Sequence, residues 1–148
     1  GLVACCDIAI GTPAARFGLT ETRLGLLPAV ISPYVVAAIG PRQARRWFAS
    51  AGTFDAVTAA RIGLLHEVVA AEALDAAVQA QVELLCRAAP RATGMAKALV
   101  RQVLAERDPA ACDRANAGLI AALRVSPEGQ EGLGAFLEKR TPAWATEA

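Results

Sequence analysis

The pattern of the chain changes once, at Pro28, and this change restricts most what the chain can fold into. Before it, residues 6–10, CDIAI, are a short apolar run that ends at Gly11-Thr12-Pro13, as a buried strand followed by a turn does. After it, apolar and amphipathic segments follow one another, divided by proline and glycine. Strands first and helices after predict an α+β or layered α/β domain.

Caps and breakers predict where the helices begin and end. Residues 29–40 are apolar almost all round, which predicts burial on several sides with Pro33 in a first turn. A second helix is expected from Pro41 to a stop at Gly52, and either Thr53 or Asp55 is a candidate cap for a third. Residues 72–87 are an amphipathic helix, since four apolar side chains recur at helical spacing: Leu74, Val78, Val82 and Leu85. The pair Asp108-Pro109 is expected to separate two later helices, and the last helix is expected to begin with Ser126 as its cap and Pro127 at its first position.

The charge balance argues against binding that is driven by bulk electrostatics. The 148 residues include 15 basic and 14 acidic side chains, which leaves a net charge of +1. That value favours neither nucleic acid nor an anionic membrane surface as a partner. Every long apolar stretch is interrupted by a charge or a proline before it reaches about 18 residues, so no membrane-spanning helix is expected.

Cysteine and histidine spacing predicts neither a metal site nor a disulfide framework. The four cysteines contain no C-x-x-C pair and are Cys5, Cys6, Cys86 and Cys112. They are expected to be free, buried thiols of a protein that works in a reducing compartment, the cytoplasm. The single histidine, His66, lies in the strand-like segment 64–69 and is interpreted as structural, since no second histidine or cysteine lies near it.

Two charged features have both a structural and a functional interpretation. Arg42, Arg45 and Arg46 are spaced for one helix face, which is most simply a solvated face and alternatively a phosphate contact. Glu21 lies between Leu19 and the leucines that follow it, and a carboxylate in apolar surroundings is a candidate general acid or base. From the residues alone, a surface position or a salt bridge with Arg23 remains the alternative.

Three stretches of the chain resemble the crotonase superfamily, the enoyl-CoA hydratases and isomerases. Residues 6–32, CDIAIGTPAARFGLTETRLGLLPAVIS, are similar to the family segment C-D-I-x-x-A-x-x-x-A-x-F-G-x-x-E-x-x-L-G-x-x-P. Residues 61–69, RIGLLHEVV, are similar to its G-L-V-x-x-V-V strand. Residues 126–144, SPEGQEGLGAFLEKRTPAW, are similar to its terminal element E-G-x-x-A-F-x-E-K-R-x-P-x-W/F. The resemblance runs in order through the whole chain.

The resemblance implies an α/β fold of ββα superhelical turns followed by a helical trimerisation region, and hence a homotrimer or homohexamer. Residues 1–70 would be the last part of the core, and residues 71–148 the helical region. Glu21 falls on the acid that moves a proton at the carbons α and β to the thioester of an acyl-CoA substrate. Phe136 and Lys139 fall near the CoA adenine and phosphates, although plain helix packing is the alternative for Phe136. Neither a metal nor a cofactor is expected, because CoA is part of the substrate.

The chain departs from the family pattern at the position of a second acid. Typical hydratases have a glutamate five residues before the Cys-Asp pair, where this chain has Gly1. The backbone N–H groups of the family's oxyanion hole belong to sequence before Gly1. We therefore expect this sequence to be the C-terminal portion of a longer protein and to be inactive alone.

The activity expected from the resemblance is hydration of a 2-enoyl-CoA. The similarity is greatest to bacterial hydratases for methylglutaconyl-CoA or related branched acyl-CoA, in leucine or isoprenoid catabolism. One glutamate can also move a proton between two carbons, so a Δ3,Δ2-enoyl-CoA isomerase is an alternative, and a non-catalytic acyl-CoA-binding protein is another. The acyl group and the assembly state do not follow from the sequence.

Overall fold

Short strands and helices alternate in the first part of the chain, and helices alone follow. The computed structural model describes residues 1–145 and divides into two compact units, Gly1–Gln79 and the residues from Ala80 onward. In the first unit lie α1 (Leu2–Cys5), β1 (Ile10–Gly11), β2 (Arg16–Gly18), α2 (Ser32–Ser50), β3 (Thr53–Asp55), α3 (Ala56–Arg61) and β4 (Glu67–Val68). Single 3₁₀ turns follow β2, at Glu21–Leu24, and β4, at Ala71–Ala73. α4 (Leu74–Arg87) contains the boundary, and the second unit continues with α5 (Pro90–Ala105), α6 (Pro109–Arg124) and α7 (Pro127–Glu138).

Two pairs of short strands organise the first unit. β1 is parallel to β4, with Ile10 opposite Glu67, and β2 is antiparallel to β3, with Phe17 opposite Phe54. The ring of Phe54 lies 5.8 Å from that of Phe17 and 4.4 Å from that of Trp47. Around these rings lies the core of the unit: Leu19, Val35, Ile39, Ala44, Trp47, Phe54, Ala56, Ala59 and Leu65.

The beginning of the chain is helical, and the predicted first strand is shorter than expected. Leu2–Cys5 is α1, which packs against α2, and the strand predicted for residues 6–10 is limited to Ile10–Gly11. A short apolar run does not show whether it forms a strand or a buried helix, because it is too short to have a clear periodicity. The length of β1 is set by its pairing with β4, which has only two residues. Cys5, Cys6 and Cys86 are free, as predicted, but exposed, and Cys112 is partly exposed, so the prediction of buried thiols is wrong.

α2 is divided at Gly40, whose φ of 73° interrupts the helix before Pro41. Pro33 lies in the first turn, as predicted, but the predicted burial on several sides is wrong: Val35 and Ile39 are buried, whereas Tyr34 is 52% exposed. The helix ends at Ser50, and the left-handed residue that closes it is Ala51, with a φ of 48°, and not Gly52. Gly52 instead allows close packing, since a Cβ atom at this position would lie 3.3 Å from the ring of Trp47.

The last helix begins at the predicted cap, and Asp108-Pro109 separates α5 from α6 as predicted. Asp108 accepts a hydrogen bond from the Ala110 N–H at 3.0 Å, and Ser126 accepts one from the Gly129 N–H at 3.1 Å. α4 confirms the predicted amphipathic helix, but its apolar stripe is only half covered: Val78, Val82 and Leu85 are 45%, 43% and 48% exposed. A helix cap thus depends on residues that are close in sequence. The burial of an apolar stripe depends on the surface that packs against it, which the periodicity of the sequence does not identify.

Candidate active site

Glu21 begins the 3₁₀ turn that follows β2. Gly25 ends this turn with a φ of 71°, and the Leu26 N–H donates to the Glu21 carbonyl at 3.1 Å. The hydroxyl of Thr22 donates to the Phe48 carbonyl at 3.0 Å, which ties the turn to α2. A left-handed residue is needed where the turn closes, and glycine adopts that conformation without strain. The local sequence thus holds the backbone of Glu21 in one place.

The carboxylate of Glu21 has one oxygen without a hydrogen-bond partner in the described chain. The residue is partly buried, and its Oε2 is fully buried without a hydrogen-bond partner among residues 1–145. Buried polar atoms nearly always have a partner, so an exception is a candidate for contact with a ligand. Arg23 is exposed and forms no ion pair with Glu21 in the described chain, so the alternative of a salt bridge is wrong.

Position 1, where the second acid of typical hydratases would stand, lies beside the segment that leads to Glu21. Gly1 lines a cavity of about 210 Å³ together with Gly18 and Leu19. Among the described residues that line this cavity there is no carboxylate, and its one charged member is Arg16. The described part of the chain therefore supplies no carboxylate to the lining of this cavity, and Glu21 follows two residues after its member Leu19.

The two residues predicted to contact CoA lie together in the second unit, at the end of α7. The Lys139 N–H donates to the Phe136 carbonyl at 3.3 Å, and Lys139 adopts a left-handed φ of 56° as the helix ends. The Phe136 side chain is 79% exposed, so the alternative of plain packing within this chain is wrong. Both side chains are free to meet another molecule.

An ion pair next to Lys139 holds the end of α7. The Arg140 guanidinium donates to both carboxylate oxygens of Glu131, at 2.6 and 2.8 Å, and to Glu138 at 2.6 Å. The Glu131 carboxylate also accepts the Ala143 N–H at 2.8 Å. The hydrogen bonds from Arg140, followed by that from Ala143, lower the pKa of Glu131 to about 2. Because the Glu131 carboxylate also accepts a backbone N–H group, this ion pair stabilises the turn that follows α7.

Sequence reasoning missed a second structural carboxylate, Glu128. The N-cap of α5 is Ala89, which has no side-chain acceptor, and Glu128 of α7 replaces it by accepting the N–H groups of Arg91 at 3.0 Å and Ala92 at 2.8 Å. Glu128 also lines an apolar cavity of about 540 Å³, beside Leu133 and Trp144. The pairing joins residues 36 or 37 positions apart in the sequence, so no local pattern predicts it.

The other predicted features have plain structural positions. His66 is exposed and accepts the Ala9 N–H at its Nδ1 atom, at 3.1 Å, which confirms its structural role. Arg42, Arg45 and Arg46 are exposed, and Arg46 lies 4.4 Å from the centre of the Trp47 ring. Residues 1–145 contain no group of three or more side chains able to hold a metal ion. No helix in the described range is long and apolar enough to cross a membrane.

Comparison with known proteins agrees with the motifs. The chain matches the family model of the enoyl-CoA hydratases/isomerases over residues 1–147. It is 33% identical to a probable enoyl-CoA hydratase of Mycobacterium leprae, in an alignment that covers 95% of this chain and 55% of that protein. Overall, it spans about half the length of the curated relatives that it matches.

Solved structures show the same fold. An enoyl-CoA hydratase of Shewanella pealeana is 42% identical with a TM-score of 0.92, over 97% of this chain and 53% of that one. An enoyl-CoA hydratase/isomerase of Marinobacter aquaeolei is 40% identical with a TM-score of 0.89, over 98% and 55%. The motifs, the fold and the family match together show that the chain belongs to the enoyl-CoA hydratase/isomerase family of the crotonase superfamily.

Proposed function

We propose that the complete protein adds water across the 2,3 double bond of an acyl-CoA thioester, with Glu21 as the group that transfers protons. The observation that supports this most is the buried Oε2 of Glu21, which lacks a hydrogen-bond partner in residues 1–145. A bound water or substrate carbon can take the place of that partner. Relatives that are named as enoyl-CoA hydratases favour the same class of reaction.

Hydration balances with one carboxylate. Glu21 accepts a proton from a water molecule while the water oxygen bonds to the β carbon, and the electron pair of the double bond moves towards the thioester oxygen. Glu21 then donates that proton to the α carbon, which gives the 3-hydroxyacyl thioester. By family resemblance, backbone N–H donors before Gly1 would stabilise the enolate that forms in between.

Replacement of Glu21 in the complete protein tests the proposal. Glu21→Gln keeps the size of the side chain but cannot exchange the proton, so kcat/KM on a 2-enoyl-CoA is expected to fall by roughly 10²–10⁴-fold. Glu67→Gln, at an exposed glutamate of β4, is the matched control and is expected to retain full activity. Unchanged turnover in Glu21→Gln would remove Glu21 from the mechanism.

A Δ3,Δ2-enoyl-CoA isomerase is the second candidate, and Gly1 favours it. Isomerisation moves one proton from carbon to carbon and needs no activated water, so one carboxylate is enough. Reaction in water labelled with a heavy oxygen isotope separates the two, because only hydration brings the label into the product. Saturable binding of acyl-CoA without any conversion would indicate the third alternative, a non-catalytic binding protein.

We further propose a branched enoyl-CoA, such as methylglutaconyl-CoA, as the substrate, within leucine or isoprenoid catabolism. Support for this choice is the sequence resemblance of residues 24–40 and 125–144 to hydratases of such substrates. The exposed Phe136 ring and Lys139 ammonium are suited to the adenine and the phosphates of CoA, and no other cofactor is proposed. A higher kcat/KM on methylglutaconyl-CoA than on a linear 2-enoyl-CoA is the expected result.

We also propose that the complete protein is a cytoplasmic homotrimer or homohexamer. Large apolar side chains are exposed on three helices of the second unit, which is typical of a surface that another protein surface covers. They include Val82, Leu84, Val100, Leu104 and Ile120. Light scattering on the complete protein is expected to give three or six times the mass of one chain, and a monomer would contradict the proposal.

A further inference from the structure

Position 1 has no room for a side chain. A Cβ atom placed on Gly1 would lie 2.8 Å from Cγ2 of Ile31, and 3.6 Å from both Cβ and Cδ1 of the same residue. Non-bonded carbon atoms pack at about 3.5–4.0 Å, so the first contact is an overlap and the other two are ordinary. The obstacle to a side chain at position 1 is therefore a single methyl group.

Ile31 is held in place by both its side chain and its backbone. It is β-branched, so few χ1 rotamers are open to it, and it packs against the core of the first unit. Its carbonyl accepts the Val35 N–H at 3.0 Å, in the first turn of α2. Moving its Cγ2 methyl would therefore disturb the core or the start of the helix.

We infer that Ile31 is a specificity-determining residue: its Cγ2 methyl excludes a side chain at position 1 and so keeps the site to one carboxylate. The inference rests on the proposed function, in which Glu21 is the acting group. Gly1 lines the same cavity as Leu19, two residues before Glu21. A glutamate at position 1 is thus excluded by packing, and Gly1→Glu by itself does not create a second acid.

Thermal unfolding of the complete protein tests this contact, with alanine as the smallest side chain that can be introduced at position 1. Gly1→Ala is expected to lower Tm by roughly 4 °C in the parent, because its Cβ overlaps Cγ2 of Ile31. In the Ile31→Ala background the same change is expected to leave Tm unchanged, since only the Ile31 Cβ remains, at 3.6 Å. Ile31→Val retains both γ carbons and is the matched control, in which the loss persists. If Gly1→Ala lowers Tm equally in all three backgrounds, or changes Tm in none of them, the inferred contact between position 1 and Ile31 is wrong.

Activity tests the role of this contact in the site. The variant Gly1→Glu/Ile31→Ala is expected to have at least tenfold higher kcat/KM on a 2-enoyl-CoA than Gly1→Glu, and Gly1→Glu/Ile31→Val is expected to resemble Gly1→Glu. Equal kcat/KM in the single and the Ile31→Ala double variant overturns the role of Ile31. The Tm measurement needs no activity, so it decides the contact even if Glu21→Gln retains full turnover and the proposed function fails.

Discussion

The two units of the chain differ in how they use their apolar side chains. Nine buried residues form one core in the first unit, around the rings of Trp47 and Phe54. In the second unit, only Ser126 and Ala135 are buried among the residues described, while Leu104 and Phe136 are 80% and 79% exposed. The first unit thus contains its own stabilising core, and the second presents apolar surface on which another surface can pack.

The same contrast holds for carboxylates. In the second unit, Glu128 accepts two backbone N–H groups, and Glu131 accepts Arg140 and a backbone N–H, so both serve the fold. In the first unit, the buried Oε2 of Glu21 has no partner in the described chain. A carboxylate oxygen that stabilises nothing in the fold remains available to a ligand, which is why the partners of a glutamate are more informative than its burial.

The largest expected effect tests the difference in cores. Phe54→Ala removes a ring that lies between Phe17 and Trp47, and large-to-small changes of this kind cost about 3–5 kcal/mol. Phe136→Ala, at an exposed ring, is the matched change and is expected to stay within about 0.5 kcal/mol. Urea unfolding of the complete protein measures both. A comparable loss at Phe136 would mean that another chain covers this ring in the complete protein, and would contradict its assignment as an exposed contact for CoA.

A smaller effect tests the difference between carboxylates. Glu128→Ala leaves the first N–H groups of α5 without a cap, which is expected to lower the free energy of unfolding by about 1 kcal/mol and to speed amide exchange at Arg91 and Ala92. Glu128→Gln keeps one acceptor and is expected to lose less. Glu21→Gln should leave stability unchanged or raise it, and a loss as large as that of Glu128→Ala would contradict the contrast.

The smallest effect is a pH dependence. Because Arg140 and then the Ala143 N–H hold the pKa of Glu131 at about 2, below the usual 4.5, the folded chain keeps this carboxylate ionised where the unfolded chain protonates it. Its contribution to stability is complete above about pH 4.5 and is lost as the pH falls towards about 2. Glu131→Gln is expected to flatten this part of the stability curve measured by thermal unfolding, whereas Glu67→Gln retains it. The acid-side slope from Asp55, whose pKa is lowered by its hydrogen bonds from Thr58, should persist in both.

The features that sequence predicted correctly depend on neighbours within a few residues. Asp55 and Ser126 cap helices through N–H groups three positions on, and such contacts form wherever the cap residue and the helix coincide. The motif that makes Glu21 a candidate acid is local as well. The exposure of the thiols, the length of the first strand and the burial of only one face of α2 were predicted wrongly, because each depends on what packs against it.

By itself, the sequence determined the order of the elements, most of the helix starts, the family and the candidate acid at Glu21, since these are written in spacing and in local hydrogen bonds. Only the tertiary structure decided that Glu128 caps α5 and that the Glu21 Oε2 has no partner in the described chain. It also decided that Ile31 fills the space beside Gly1. Each of these is a contact between residues distant along the chain, or the lack of one, and packing in three dimensions is what brings such residues together.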